Sequence, residues 1–461
     1  MNEVKSLPYY RAGLESTCIF LSILSAVVLL IVWALADTIA ARNISIAVGL
    51  VASTGWVLLA RPRITRSDFI VPALLMGVPI WLWVIYFFFP IDAAAQYKEM
   101  TGTWLRVMLL IIFGFNLGLM ISKNNKLAIW IWLALASLPV AGLAMYLHEI
   151  YIGKPWNIYL YVSFFKTKVA GVYFLMWPCL LSYAGLHKAL IDQAILPISF
   201  KVLVKIGVNV LLLAVCLWMF YIIHALTGIL VSGLFFIVLL FLCFVYLVLS
   251  SKIKFRNKLM ATSLIFIVAI SVLGLCWQYD QEHQKKLTHV ASDILSSMDI
   301  QKSSIWKRMP NSDENLPISS NGSQVNMSTY ERVSWFQKGV EYLIAHPFGT
   351  GDMHLSFGKY MRDEYPGSLA DKTHSGWLDF SLGAGVPSLI LIWSAIFLSL
   401  IRTIQLQKEN SKSFISVATI WLLSGVWLLW WPGELSYREF LEHYVFMIVL
   451  LGAATRALRR F

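Results

Sequence analysis

Repeated apolar runs, each long enough to cross a lipid bilayer, constrain this chain more than any other feature. A helix needs about 20 apolar residues to cross the ~30 Å hydrocarbon layer. Windows of this kind lie near 17–36, 44–60, 69–89, 104–121, 127–147, 169–187, 202–222, 225–250, 259–278, 375–401, 413–431 and 439–456. The chain is 58% hydrophobic and only 13% charged, a balance that no soluble core requires. The sequence therefore predicts an all-α polytopic membrane protein with about twelve transmembrane helices.

Two features of these windows affect the topology. The seventh and eighth windows are separated only by a short turn at 223–228, and merging them would move every later loop to the other side. The first window follows Lys5 and Arg11 and has no small-residue cleavage site. We therefore expect it to be a permanent span rather than a signal peptide.

The distribution of lysine and arginine predicts the orientation. With a cytoplasmic N-terminus, about 19 of these residues fall in cytoplasmic segments, against about six in the short outer loops, as the positive-inside rule describes. Both termini are then cytoplasmic, and the loop at 279–373 is outside, which in a bacterium is the periplasm. The predicted division is nine spans in 1–278, a helical loop domain in 279–373 and three spans in 374–461. These inter-helix cations explain the net charge of +12, so nucleic acid is not an expected partner.

The long loop is the main soluble segment, and its two halves differ. Its first half is polar, with a helix predicted near 282–298 followed by irregular chain. In the second half, Ser328 and Glu331 have the spacing of a capping box. Apolar residues at helical spacing follow, and Pro347 ends the predicted helix.

Arg332 would stand in the first turn of that capped helix. A cation opposes the helix dipole there, but exposed backbone amides together with a guanidinium make a good phosphate site. The alternative is a solvated arginine or one paired with glutamate.

His374 lies where the loop re-enters the membrane. Thr373 or Ser375 can cap the new helix, and the positive helix end would keep the imidazole neutral and able to accept a proton. Asp371 or Asp379 is a candidate to orient it. The alternative is an interfacial histidine bonded to the backbone.

Further residues are candidates for binding substrate, each with a structural alternative. Gly349 and Gly351 would let backbone amides approach an anion, although a simple turn after the proline explains them equally. Trp377, next to His374, could leave room for a sugar.

Three cations are also candidates. Arg106 lies inside the outer end of the fourth span, where it would face a cavity or snorkel to the interface. Lys166 and Lys168 lie on the outer side, against the general bias, and could meet a phosphate or an anionic lipid. Arg438, Glu434 and Glu439 form an outer charge cluster that we interpret as structural.

A set of residues in and after the loop resembles a known family. The set is Glu331-Arg332 with Trp335, then His346-Pro347-Phe348-Gly349-Thr350-Gly351, then His374-Ser375, Leu378, Gly383, Gly385 and Val386. It resembles the O-antigen ligase and polymerase superfamily of bacterial membrane glycosyltransferases. Members often carry an arginine in the turn that is His224-Ala225-Leu226-Thr227-Gly228 here, and this chain has none. One dominant outer loop near the C-terminal third is typical of the ligases, so the resemblance favours an O-antigen ligase.

The resemblance implies a reaction and its partners. Polysaccharide would pass from undecaprenyl pyrophosphate to the lipid A–core oligosaccharide, on the periplasmic face of the inner membrane. Arg332 would neutralise the pyrophosphate and His374 would take the proton of the acceptor hydroxyl. The prenyl tail would lie among membrane helices in contact with lipid, and neither a metal ion nor a nucleotide cofactor is expected. The alternatives are an O-antigen polymerase, a protein O-oligosaccharyltransferase or a lipid or solute transporter.

Overall fold

The computed structural model of the protein describes residues 6–155, 164–193, 200–249, 274, 286–309, 316–319, 322–354, 356–409, 413–434 and 437–455. Within these ranges the chain is helical, and its β-structure is limited to an isolated bridge between Ile318 and Gln324. The helices before the loop are α1 Ser6–Val32, α2 Ile39–Ala60, α3 Ile70–Phe88, α4 Ala93–Glu99, α5 Leu105–Lys123, α6 Ala128–Tyr151, α7 Lys168–Gln193, α8 Phe200–Ile222 and α9 Leu226–Leu249. The remaining helices are α10 Lys286–Ser297, α11 Met327–Ala345, α12 Ser356–Glu364, α13 Gly376–Glu409, α14 Phe414–Leu429 and α15 Arg438–Ala454.

The apolar helices identify a multi-pass membrane protein. In the described part of the chain, 9 helices are long and apolar enough to cross a membrane, and α14 is a shorter apolar helix. Helix geometry suits lipid because it satisfies the backbone hydrogen bonds within each segment. The chain does break between the seventh and eighth predicted spans, since α8 ends at Ile222 and α9 begins at Leu226. The predicted span at 259–278 lies outside the described residues.

Helix α15 lies at the centre of the helix packing. Every residue from Phe440 to Leu451 in it is buried. It packs on α5, where Gly114 and Gly118 face it. A Cβ at Gly118 would lie 2.6 Å from the carbonyl oxygen of Leu450, so a small residue is needed for this close approach. This packing holds the first residues of α15 beside the long loop.

The loop is anchored in a break of helix α13. Gly385 has a φ of +82°, which interrupts the helix. The amides of Thr350 and Gly351 donate to the carbonyls of Leu382 and Gly383 at 3.0 and 2.8 Å, and the Val386 amide donates to Pro347 at 2.8 Å. The loop packs against one end of the helix bundle, and we call this end the loop end.

A second hydrophobic core joins the loop to the membrane helices. Trp306, Trp335 and Met361 of the loop pack with Leu378 and Leu382 of α13. The loop and the membrane helix α13 therefore share one hydrophobic core.

The predicted capping box of the loop helix is wrong. Helix α11 begins at Met327, and its cap is Asn326, two residues before the expected Ser328. The Asn326 side chain accepts from the Thr329 amide. The buried face of α11 carries Trp335, whereas Phe336, which fits the apolar spacing, is 39% exposed. The buried face of α11 is therefore formed largely by aromatic and polar side chains.

Candidate functional site

His374 lies immediately before helix α13 in an unusual backbone conformation. Its φ is +60°, in the left-handed region, which costs a non-glycine residue about 1 kcal/mol. The first amides of α13 are already used: Gly376 donates to Gly433 at 2.7 Å, and Trp377 donates to Trp430 at 3.2 Å. These bonds bring the segment after α14 against the start of α13, and so place a carboxylate beside His374.

That carboxylate belongs to Glu434. The Nδ1 atom of His374 lies 2.8 Å from Oε2 of Glu434. A carboxylate can only accept, so Nδ1–H donates and Nε2 is left as an acceptor. The predicted orienting groups are wrong: Asp379 accepts from the amide and hydroxyl of Thr373, and Asp371 pairs with Arg362.

Aromatic and cationic groups hold the imidazole from the other side. The Trp335 ring stacks on His374 with centroids 5.3 Å apart, and the guanidinium of Arg308 lies over Trp335 at 5.1 Å. Arg308 is itself held by two hydrogen bonds to Glu331. The His374 side chain remains 30% exposed, so it is both fixed and accessible.

Lys372 completes the cluster. Its Nζ lies 3.2 Å from Oε1 of Glu434 and 3.7 Å from the ring centroid of Tyr437. Burial alone would raise the pKa of Glu434, but the hydrogen bond from His374 and the charge of Lys372 outweigh it, and the pKa falls to about 2. Glu434 is therefore ionised at any physiological pH.

Arg332 lies close to this cluster, in the second turn of α11 rather than the first. The predicted combination of its guanidinium with first-turn amides is therefore wrong, since the first turn lies farther back along the helix. The Arg332 side chain reaches the surface, yet partial burial lowers the pKa of its guanidinium, and the negative charges of Glu434 and Glu331 oppose that shift. Within the described ranges no carboxylate forms a salt bridge with it. It is an exposed cation close enough to Glu434, the partner of His374, for that carboxylate to act on it.

The predicted glycine site has another role. The amides of Gly349, Thr350 and Gly351 donate to carbonyls of the chain itself. Gly349 and Gly351 both have positive φ, and a Cβ at Gly349 would overlap the backbone of Gly385. These glycines anchor the loop in α13, and their amides are not free for an anion.

Trp377 is also a structural residue. Only 1% of it is exposed, its indole donates to the Trp427 carbonyl at 2.9 Å, and its ring packs on Trp430. A ring this deeply buried has no face free for a sugar, so the prediction that it binds substrate is wrong for this conformation.

Two of the three cations proposed from the membrane segments pair with carboxylates of α15 instead of joining the His374 cluster. Arg106 donates to Glu442 at 2.7 Å, and Lys166 to Glu439 at 3.1 Å. Lys168 is the first residue of α7 and also has an interaction partner. Both paired cations therefore belong to an ionic network with carboxylates of α15, and Arg106, inside the end of a span, needs such a partner at that depth.

Residues missed by sequence reasoning lie around the same cluster. The sequence pattern places Glu434 in a structural charge cluster and gives no indication of a role for Lys372. The sequence does contain one clue to Glu434, namely that this acidic residue directly follows Pro432 and Gly433. A turn at these two residues can place its side chain at the loop end. Its pairing with His374 depends on tertiary contacts.

No protein-family model matches this sequence, and no curated protein matches it.

Proposed function

We propose that this protein is a bacterial inner-membrane glycosyltransferase of the O-antigen ligase type. It would transfer undecaprenyl-pyrophosphate-linked polysaccharide to lipid A–core oligosaccharide on the periplasmic face. The observation that carries the proposal is the His374–Glu434 pair at 2.8 Å, which leaves one imidazole nitrogen able to accept a proton, while the charge of Glu434 also acts on the exposed cation Arg332.

In this mechanism His374 is the general base. Nε2 takes the proton from the acceptor hydroxyl as that oxygen attacks the anomeric carbon. Glu434 holds the ring and stabilises the imidazolium that forms, as a carboxylate does behind other catalytic histidines. Stacking on Trp335 fixes the ring plane. Positioned general-base catalysis of this kind contributes about 10²–10⁴-fold.

Arg332 acts on the leaving group. The bond from the anomeric carbon to the pyrophosphate oxygen breaks as the new glycosidic bond forms, so negative charge grows on the pyrophosphate. A guanidinium can neutralise this charge through two parallel hydrogen bonds. A single displacement of this kind inverts the anomeric centre.

The arrangement of charges favours this function over a transporter. A transport path would require ionisable groups facing a cavity within the spans. Here Arg106, at the end of a span, pairs with Glu442, whereas the accessible Arg332 stands on the loop helix beside His374. A polymerase or a protein oligosaccharyltransferase would use the same groups on a different acceptor.

The test is transfer by purified protein in detergent, with lipid-linked polysaccharide as donor and lipid A–core as acceptor. We expect His374→Ala to abolish transfer, and His374→Gln to lower it at least ~10²-fold, because glutamine keeps a hydrogen bond but cannot act as a base. His346→Gln is the matched control, since His346 stacks on Tyr360 at the end of α11.

Transfer by His374→Gln at close to the wild-type rate would refute the general-base role. Absence of transfer by well-folded wild-type protein would refute the proposed acceptor. Offering O-antigen repeats or an acceptor protein in place of the core then tests the other members of the superfamily.

A further inference from the structure

A cavity lies at the end of the helix bundle that is remote from the loop end. It is lined by α3, α5, α13, α15 and the segment before α3, and its volume is about 200 Å³. One water needs roughly 15 Å³ of such space, so the cavity can hold a group of several heavy atoms. Arg402, which lines it, is separated from Gly376 at the start of α13 by roughly 40 Å of helix. The cavity is therefore distinct from the His374 cluster.

Polar side chains line this cavity at the level where the spans end. Thr65, Ser67 and Asp68 lie next to the start of α3, and Thr455 directly follows α15. Arg402 lies near the end of the long helix α13 and is half-buried, and its flexible side chain can extend toward the same level. This is the depth at which a bilayer places its polar head groups.

Apolar side chains line the deeper part of the same cavity. Val71 and Pro72 belong to the first turn of α3, and Phe115 and Val449 lie more than one turn inside the ends of α5 and α15. A site with a polar outer part and an apolar inner part matches an amphiphile better than it matches a soluble ion.

The surroundings of the cavity are positively charged. Three exposed arginines lie between α2 and α3, namely Arg61, Arg63 and Arg66. Asp68 is an acidic lining residue, but its Oδ2 accepts from the amide and the hydroxyl of Thr65 at 2.6 and 2.5 Å, which disperses its charge. Together with Arg402 these cations outnumber that carboxylate. Basic pockets between membrane helices on the cytoplasmic side suit anionic lipid head groups, and this end is the one predicted to be cytoplasmic.

Exposed apolar side chains flank the cavity where a lipid would place its acyl chains. Phe69 and Ile70, next to Asp68, are 51% and 42% exposed, and Ile401, next to Arg402, is 53% exposed. The Phe69 ring contacts the ring of Phe115, which lines the cavity, with centroids 5.4 Å apart. The wall of the cavity is therefore continuous with an apolar outer surface of the bundle.

We propose that this cavity binds the phosphate head group of an anionic phospholipid from the adjacent leaflet, with Arg402 contacting the phosphate. A guanidinium matches two oxygens of a phosphodiester through parallel hydrogen bonds. The acyl chains would lie on the exposed apolar surface beside Phe69. This site is independent of the proposed transfer reaction, because it lies at the opposite end of the bundle from His374.

Lipid binding by the full chain in a neutral detergent tests the proposal without any transfer assay. Mixed micelles supply phosphatidylglycerol or phosphatidylcholine, and native mass spectrometry counts the lipids retained on each protein molecule. We expect one phosphatidylglycerol to be retained in preference to phosphatidylcholine. Arg402→Gln should weaken its binding at least ~10-fold, because a hydrogen bond between charged groups is lost, and Arg402→Lys should restore only part of the affinity.

Two further variants separate the cavity from general surface charge. Ser67→Trp keeps every charge and fills the cavity, so it should also weaken phosphatidylglycerol binding at least ~10-fold. Lys123→Gln is the matched control, because it removes a cation near the same end of the bundle but outside the cavity. Lys123 pairs with Glu15 at 3.1 Å and is 58% exposed, so its replacement should leave the binding unchanged.

Four outcomes would overturn the proposal. The first is wild-type affinity for phosphatidylglycerol in either Arg402→Gln or Ser67→Trp, measured on protein that elutes as a single species. The second is equal retention of phosphatidylcholine and phosphatidylglycerol by the wild type. The third is equal loss in Lys123→Gln, which would show an effect of surface charge alone. The fourth is displacement of the lipid by an equal concentration of glycerol 3-phosphate, which would identify a soluble phosphate compound as the ligand.

Discussion

Replacing Glu434 with glutamine keeps the size of the side chain at the centre of the site and removes its negative charge. Glutamine presents both an acceptor and a donor to His374, so it no longer forces the proton onto Nδ1. The carboxylate also pairs with Lys372, whose Nζ lies 3.2 Å from Oε1. The substitution should therefore lower the stability of the protein and, under the proposed function, its rate of transfer.

The structure gives a magnitude for each effect. The Glu434 side chain is only 16% exposed, so solvent screens its interactions weakly. A pKa that falls from 4.5 to about 2 corresponds to about 3 kcal/mol of favourable interaction with the ionised form. For transfer, a hydrogen bond to a charged group contributes about 1.5–3 kcal/mol, which corresponds to a loss of about 10- to 100-fold in rate.

The stability effect has a defined pH dependence. Because the folded-state pKa of Glu434 lies below its unfolded value, the stabilisation is fully present above about pH 4.5 and is lost as the pH falls toward 2. Reversible unfolding in mixed micelles should therefore show Glu434→Gln less stable than the wild type by about 3 kcal/mol near pH 7. The difference should shrink steadily below pH 4.5.

Glu341→Gln is the control for this measurement. Glu341 also pairs with a lysine, Lys338, but its side chain is 56% exposed. Exposed pairs contribute little, so its free energy of unfolding should change by less than about 1 kcal/mol at any pH. Two results would refute the argument that the charge of Glu434 stabilises the folded protein. One is a difference in free energy of unfolding between wild type and Glu434→Gln that is small at pH 7. The other is a difference that does not change between pH 5 and 2.5.

Two further predictions concern residues to which the structure gives structural roles. Gly349→Ala should destabilise the protein by about 3 kcal/mol, because the position has positive φ and the added Cβ overlaps the backbone of α13. Limited proteolysis of the loop measures the destabilisation, and protease resistance equal to that of the wild type would contradict the prediction. Arg106→Ala should lower the yield of folded protein and the free energy of unfolding by about 3 kcal/mol, since it removes a partner of the fully buried Glu442. Glu442→Gln in the same chain should recover part of that loss, and diphosphate binding by the folded fraction should be unchanged.

The fold was predictable from the sequence largely because its determinants are local. Apolar windows of sufficient length correspond to helices in the described ranges, and the break between Ile222 and Leu226 occurs where the turn was expected. The cap of the loop helix was mispredicted because Asn326 and Ser328 both have side chains able to cap a helix. Local chemistry alone does not choose between them.

The site was only partly predictable. His374 and Arg332 are candidates from the sequence because their types and positions next to the membrane suit proton transfer and phosphate binding. The sequence does not predict the partner of His374 correctly, because Asp371 and Asp379 are nearer in sequence than Glu434. Thr373 and Arg362 satisfy those two aspartates.

By itself the sequence determined the class of protein, the position of most spans and the presence of one long polar loop rich in reactive side chains. These follow from hydrophobicity summed along contiguous residues. Which charges pair, and which remain available, was decided only by the tertiary structure. Arg106 was expected to bind substrate, yet its partner Glu442 lies 336 positions away. Electrostatic energy depends on distance in space, and packing of α15 against α5 determines that distance.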